Sequence, residues 1–296
     1  MSRDLLATAP LLKRAAWRFG RSLARDLTAG GVQLVSRAVA DLVWWFDGRG
    51  RKVLEDNLTP LIPAADARAR AVRHCYHACA DHLAHMLRMD RVARKPQAIR
   101  LCDPWNVFAN ATEQGGIRGP LILATLHQDW TRILAALQTH GLVSDLAVIA
   151  LPSGDAWADA ELAHLHQSLE ATVLPWAQAP RTALRHLRQG GVVGLLADRD
   201  YAGDGLVLQC AGRTWRVPTG PAKLALHTGA GIVPFVWIRQ TLVVGKPITV
   251  RSAAEVDSAT RELARFQLRV LATNPGRWVA FHPVWSLKKK ARAGAR

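Results

Sequence analysis

From Gly119 onward, short apolar runs alternate with stretches whose apolar residues recur every three or four positions. Leu121–Leu126, Leu146–Leu151, Val192–Leu196, Ile232–Ile238 and Val279–Phe281 are brief apolar blocks and read as strands. Ile133–His140, Asp159–Ala171, Ala179–Gln189, Pro221–Thr228 and Asp257–Thr273 carry the helical period. Such alternation predicts an α/β core over residues 119–287, with a central, mostly parallel sheet flanked by helices.

Upstream the period is helical. Residues 5–27 set Leu5, Leu12, Ala16, Phe19, Leu23 and Leu27 at helical spacing, with Arg14, Arg18, Arg21 and Arg25 largely on other faces. Two readings fit this basic amphipathic pattern: a helix at a lipid headgroup boundary, suited by Trp17 and Phe19, or a packed surface helix with solvated arginines. A second helix, Val32–Phe46, ends in Trp44-Trp45-Phe46. Three adjacent aromatics diverge around a helix, so at least one must face solvent, lipid or a groove. Asp47-Gly48-Arg49-Gly50 stops that helix. The turn Asn57–Pro63 then leads into a long helix from Ala65 to Arg91, with His74, His77, Asp81 and His85 along one face. Metal ligands normally converge from more than one element, so a solvated or pocket-lining polar face is the better reading. Residues 1–118 are thus expected to form a helical region packed on the core.

Composition narrows the partners. The formal charge of +16 over 296 residues favours an anionic partner: nucleic acid, an acidic protein or an anionic membrane. Residues 288–296 add a basic, acid-free tail read as disordered and suited to electrostatic attachment. No nucleic-acid recognition motif supports the first option, so none is expected. Four scattered cysteines fit a reducing compartment. The longest apolar candidate near the N-terminus, Leu27–Val35, falls far short of the ~20 residues of a membrane span. No secretory signal pattern is seen, so the chain is expected on the cytosolic side. No P-loop and no zinc cysteine pairs are found, and Gly190-Gly191 is too sparse for a dinucleotide fingerprint; no metal or cofactor is expected.

Three strings carry candidate chemistry. Leu121-Ile-Leu-Ala-Thr-Leu-His127-Gln-Asp129-Trp130 is a strand that ends in an imidazole, the position where α/β proteins commonly place reactive groups. Gly191–Leu196 likewise runs out into Asp198-Arg199-Asp200-Tyr201. If these two strands are neighbours, Asp198 or Asp200 could take the imidazole N–H and support a general base. Third, Pro218-Thr219-Gly220-Pro221 opens a helix whose first amides could receive an anion or oxyanion, with Arg213, Arg216 and Lys223 adding positive charge.

Together with Asn57-Leu58 and Pro275-Gly-x-Trp278…Phe281-His-Pro-Val-Trp285, these strings resemble the bacterial lipid A late acyltransferases, the lauroyl and myristoyl transferases of the lysophospholipid acyltransferase superfamily. The resemblance implies transfer of a fatty acyl group from acyl carrier protein or coenzyme A to a hydroxyl, or an amine, of a lipid-like acceptor. It further implies His127 as general base, no cofactor, and peripheral attachment at the cytoplasmic face of the bacterial inner membrane. Candidate substrate contacts are Trp130, Arg132, Arg199, Tyr201, Arg213, Thr219 and Gly220. The chain departs from the family pattern at the acid of the His-x4-Asp/Glu motif, where Arg132 stands. Asp129, Asp198 and Asp200 are the remaining candidates to orient the imidazole. The family's arginine after the next strand also lacks a counterpart, since Leu151-Pro-Ser-Gly-Asp155 occupies that place. A second reading follows from these departures: a homologue that binds acyl chains, carrier protein or membrane without turnover.

Overall fold

Leu121, Leu123 and Thr125 point to one side of their strand and Ile122 and Ala124 to the other, and both sides are buried. A strand covered on both faces belongs at the centre of a parallel sheet. The computed structural model, which describes residues 10–89, 99–109, 111, 116–117, 119–151, 155–210 and 212–285, has it there. Residues 5–9 of the basic helix, 90–91 of the long helix and the tail 288–296 lie outside the described residues.

In chain order the strands are β1 (Arg100–Cys102), β2 (Leu121–Thr125), β3 (Leu146–Ala150), β4 (Thr172–Pro175) and β5 (Val192–Leu196). After them come β6 (Leu206–Cys210), β7 (Arg213–Val217), β8 (Gly231–Ile238) and β9 (Thr241–Val244). Seven of them form one sheet in the order β1-β9-β8-β2-β5-β3-β4. Every pairing in it is parallel except β8 with β9, and β6 and β7 make a separate antiparallel hairpin. The α/β class and the mostly parallel sheet therefore agree with the sequence pattern. The sheet also takes β1 from upstream of residue 118.

Among its described residues the N-terminal region holds the helices α1 (Pro10–Asp26), α2 (Ala29–Phe46), α3 (Gly48–Leu58) and α4 (Ala65–Leu87). Within the core lie α5 (Trp130–Thr139), α6 (Ala156–Gln167), α7 (Ala179–Arg188), α8 (Gly220–Thr228) and α9 (Val256–Thr273). α5 and α6 cover one face of the sheet, where Ile133, Leu137 and Leu165 pack with Leu123 and Leu146. α7 and α8 cover the other, where Ala183, Leu187 and Ala225 meet Ile122, Ala124 and Val193. Each fully buried Leu, Ile or Val contributes about 1.5–3 kcal/mol by leaving water. On α1, Trp17 turns inward and its Nε1–H donates to Glu161 of α6 at 3.2 Å, while Phe19 is exposed.

The structure corrects one expected strand. Val279–Phe281 pairs in no sheet; it lies across the ends of the central strands as a strap. Its polar backbone is satisfied singly. Val279 N–H donates to His127 O at 2.9 Å, Arg199 donates to Val279 O, and Asn57 Nδ2 donates to Ala280 O at 2.8 Å. Asn57 also donates to His282 O at 2.7 Å and accepts from Val284 N–H at 3.0 Å. Trp285 Nε1–H donates to the Asn57 carbonyl at 2.6 Å. One asparagine on α3 thus fastens the N-terminal helices to the strap.

Replacing Asn57 by alanine should leave two strap carbonyls and an amide without partners. At roughly 1–3 kcal/mol per unsatisfied buried group, partly relieved by water, a loss of about 3 kcal/mol is expected. Urea unfolding measures it; a midpoint equal to wild type would show that the strap is held by other means.

Candidate active site

The register of β2 against β5 builds the centre. Thr125 is paired with Leu196, and Ala197 N–H donates to Thr125 O at 2.8 Å. Two residues further along each chain stand His127 and Asp198, on the same side of the sheet and opposite each other. His127 Nδ1 lies 2.6 Å from Asp198 Oδ1, and the His127 backbone N–H donates to the same oxygen at 3.2 Å. The other carboxylate oxygen, Oδ2, accepts from Trp278 Nε1–H at 2.8 Å. Trp215 Nε1–H donates to the Asp198 carbonyl at 3.4 Å.

The Asp198 side chain is 0% exposed and His127 16%. Burial alone would push the Asp198 carboxyl up. The charges of His127 and Arg199, with the hydrogen bonds from His127 and Trp278, outweigh it and hold the group well below the usual carboxylate range. A carboxylate only accepts, so Nδ1 carries the proton and Nε2 is left as the basic nitrogen. That arrangement suits proton abstraction at Nε2.

Asp129 is engaged elsewhere. It sits in the left-handed region at φ 49° just before α5, which turns its carboxylate to Arg277. Arg277 Nε donates to Oδ2 at 2.8 Å and Nη2 donates to Oδ1, while Nη1 reaches Asp81 at 3.2 Å. Arg132, at the acid position of the family motif, also points to Asp129, at 3.5 Å. Burial works against the Arg277 charge, but Asp129 and Asp81 raise its pKa overall. Asp200 is a loop organiser: it accepts from Gly203 N–H at 3.0 Å and Gly205 N–H at 2.9 Å, with Arg216 3.8 Å away. Of the three candidate acids, only Asp198 is hydrogen-bonded to His127 in the structure.

A cavity of about 900 Å³ opens beside His127, within the size range of small-molecule sites. Leu123, Leu134, Leu137, Val148 and Phe235 line one part, and Leu195 and Leu224 another. Gly194 contributes depth at the middle of β5. A Cβ built there would come within 3.4 Å of Val148 Cγ1 and 3.6 Å of Leu146 Cδ1. Trp130, Arg199, Asp200, Tyr201, Thr219 and Gly220 also line the cavity. Arg132 and Arg213 do not; Arg213 sits opposite Cys210 in the β6–β7 hairpin. The hydroxyls of Thr125 and Thr219 are buried on the cavity wall without a hydrogen-bond partner. The segment expected to hold the family's second arginine falls at residues 152–154, outside the described residues.

His82 and His166, which carried no signal in the sequence, support the site from behind. Trp130 stacks on His166 (5.0 Å, 8°) and touches His82 at 5.1 Å, and Thr131 Oγ1 lies 3.1 Å from His82 Nδ1. Burial pushes His82 and His85 down to about 3, so both are neutral packing groups. The other polar residues of the α4 face separate: His77 lies 2.7 Å from Asp41, and Asp81 pairs with Arg277. Trp278 had a sequence signal in the Pro-Gly-x-Trp string; Arg277 occupied its unspecified position.

A family model for bacterial lipid A biosynthesis acyltransferases matches residues 15–287. Among curated proteins, the phosphatidylinositol mannoside acyltransferase of Mycobacterium tuberculosis is 32% identical over 139 residues, covering 44% of this chain and 44% of the relative. The protein of the same name from Mycolicibacterium smegmatis is 30% identical over 139 residues, covering 43% and 46%. The match spans less than half the length of each relative.

The neutral histidines set an acid limit. His82 and His85 titrate near 6.5 when unfolded but near 3 when folded, so between those values the unfolded chain binds more protons. Stability then rises with pH and falls on acidification, by about 2 kcal/mol per histidine at pH 5. Urea midpoints taken from pH 7.5 to 5 should show the decline, and His82→Gln should flatten its slope by about one proton. An unchanged slope in that variant would mean that His82 is not held neutral.

Proposed function

This chain belongs to the bacterial lipid A biosynthesis acyltransferase family, and we propose that it moves a fatty acyl group from a thioester to a hydroxyl or amine of a lipid-like acceptor. The observation that carries this reading is the Asp198–His127 pair at the wall of a deep apolar cavity. In the proposed reaction His127 Nε2 takes the acceptor proton as its oxygen, or nitrogen, attacks the thioester carbonyl. The tetrahedral oxyanion collapses, the C–S bond breaks, and the imidazolium returns the proton to the departing thiolate. Asp198 holds the imidazole and offsets its positive charge in the intermediate. The unpartnered Thr219 hydroxyl and the first amides of α8, which have no intrahelical acceptor, are suited to meet the oxyanion. The apolar cavity suits the acyl chain, and the donor is acyl carrier protein or acyl-CoA.

The alternative, a binder without turnover, rests on Arg132 at the motif's acid position and on the missing arginine after the next strand. A carboxylate delivered by the neighbouring strand supplies the same orientation, so the geometry favours turnover.

The proposal extends to an anionic membrane surface, at the cytoplasmic face of the bacterial inner membrane. α2 leaves Leu34, Leu42, Trp45 and Phe46 at 72%, 61%, 70% and 78% exposure, an exposed apolar stripe. Exposed arginines at positions 14, 18 and 37 accompany it, and the chain carries +16 overall. Among the described residues no helix is long and apolar enough to cross a membrane, so α2 is read as lying along the surface.

Thiol release from an acyl thioester in the presence of lipid acceptor tests the chemistry. His127→Ala should abolish turnover, and Asp198→Asn should lower kcat by about 10²–10⁴. Asp129→Asn should instead cost mainly stability, since it removes the charge that faces Arg277 and leaves Asp81 as its remaining acidic partner. Unchanged turnover in His127→Ala sinks the base, and a slow Asp129→Asn beside a normal Asp198→Asn sinks the acid. For the membrane, the protein should sediment with phosphatidylglycerol vesicles, and Trp45→Ser/Phe46→Ser should release it. Wild-type protein that stays in the supernatant would refute surface attachment through α2.

A further inference from the structure

α7 contributes to the cavity wall and presents a basic outer face beside it. Ala179, Ala183 and Leu187 are buried against the sheet, and Pro180 and Leu184 line the cavity. Arg181, Arg185 and Arg188, spaced four and three apart, project from the helix into solvent. Among the described residues none of the three makes a hydrogen bond or ion pair, unlike Arg216 near Asp200 and Lys223 on Asp204. The helix has no acidic residue. Among the described residues the three guanidinium groups have no ion-pair partner; the C-terminal end of the helix offsets part of the repulsion at Arg185 and Arg188, and Arg181 lies beyond that last turn.

We propose that this stripe is the docking surface for an acidic, helical acyl carrier protein, whose pantetheine arm then delivers the thioester into the adjoining cavity. The inference rests on the acyl-transfer reading and chooses between its two donors. Seven residues of helix set the outer arginines about 10 Å apart along one face. An extended row of that length complements an acidic helix lying alongside it. The phosphates of a nucleotide need donors that converge on one place, and a single helical face does not converge. A lipid surface fits less well, because α7 exposes guanidinium groups and buries its apolar side chains, the reverse of α2. Charge complementarity at such a rim chiefly raises the association rate and weakens with salt.

The test uses the full chain with Arg181→Glu/Arg185→Glu/Arg188→Glu, substitutions at exposed positions, checked by circular dichroism for intact fold. Binding of a fluorescent, hexadecanoyl-loaded acyl carrier protein should be tight and salt-sensitive in wild type, and at least tenfold weaker in the variant. KM for that donor should rise by a similar factor at unchanged kcat, while turnover of hexadecanoyl-pantetheine stays as in wild type. Equal carrier binding by the two proteins overturns the proposal. So does a KM rise confined to hexadecanoyl-CoA, which would mark a nucleotide site, or a loss confined to phosphatidylglycerol vesicles, which would mark a lipid contact. Carrier binding that follows the arginines with no turnover of any thioester would leave the docking surface standing and remove the acyl-transfer reading.

Discussion

A carboxylate with no exposure to water has to be neutralised and hydrogen-bonded, and Asp198 meets that demand through two separate parts of the chain. One oxygen collects the His127 ring and backbone N–H groups from the end of β2, and the other collects the Trp278 indole from the strap. An ion of this kind costs several kcal/mol to bury, and removing one partner strands the charge. The contact is therefore structural before it is chemical. It welds the ends of two central strands to the strap, and the strap carries Asn57 and the N-terminal helices with it. The imidazole is aimed by the same bonds that hold the architecture together.

Much of this frame was legible in the chain. β2, β5 and β8 are covered on both faces, so they are nearly continuous apolar runs and stand out from any alternation. Edge and hairpin strands did not stand out. β6 is half-exposed, and β9 follows a tight turn at Arg239-Gln240, where both residues have positive φ without the usual glycine or asparagine. Val279–Phe281 misled for a definite reason: its side chains are apolar because the strap lies over the sheet's end, which demands burial but no ladder.

The candidate site divides along the same line. His127 could be read from its place at a strand end, as could the carboxylates after β5. Which carboxylate meets it could not be read, because that depends on which strands are neighbours and in what register. Asp129 was the nearest acid in sequence, and a guanidinium 148 residues away holds it. The row on α4 was visible, yet its members part because their partners come from other elements, Asp41 for His77 and Arg277 for Asp81, while His82, outside that row, meets Thr131 and Trp130.

The strap also imposes an order on biogenesis. His127, Asp129 and Asp198 are synthesised well before Arg277 and Trp278, so for that interval Asp129 lacks its guanidinium, Asp198 lacks its indole donor, and β2 and β5 end without a cover. A ribosome that pauses between residues 200 and 277 holds a sheet whose edges can pair but whose reactive end is open. Completion of the site is thus a late event in the life of the nascent chain. Until it happens, the carboxylate that holds the His127 imidazole lacks its indole donor and its cover.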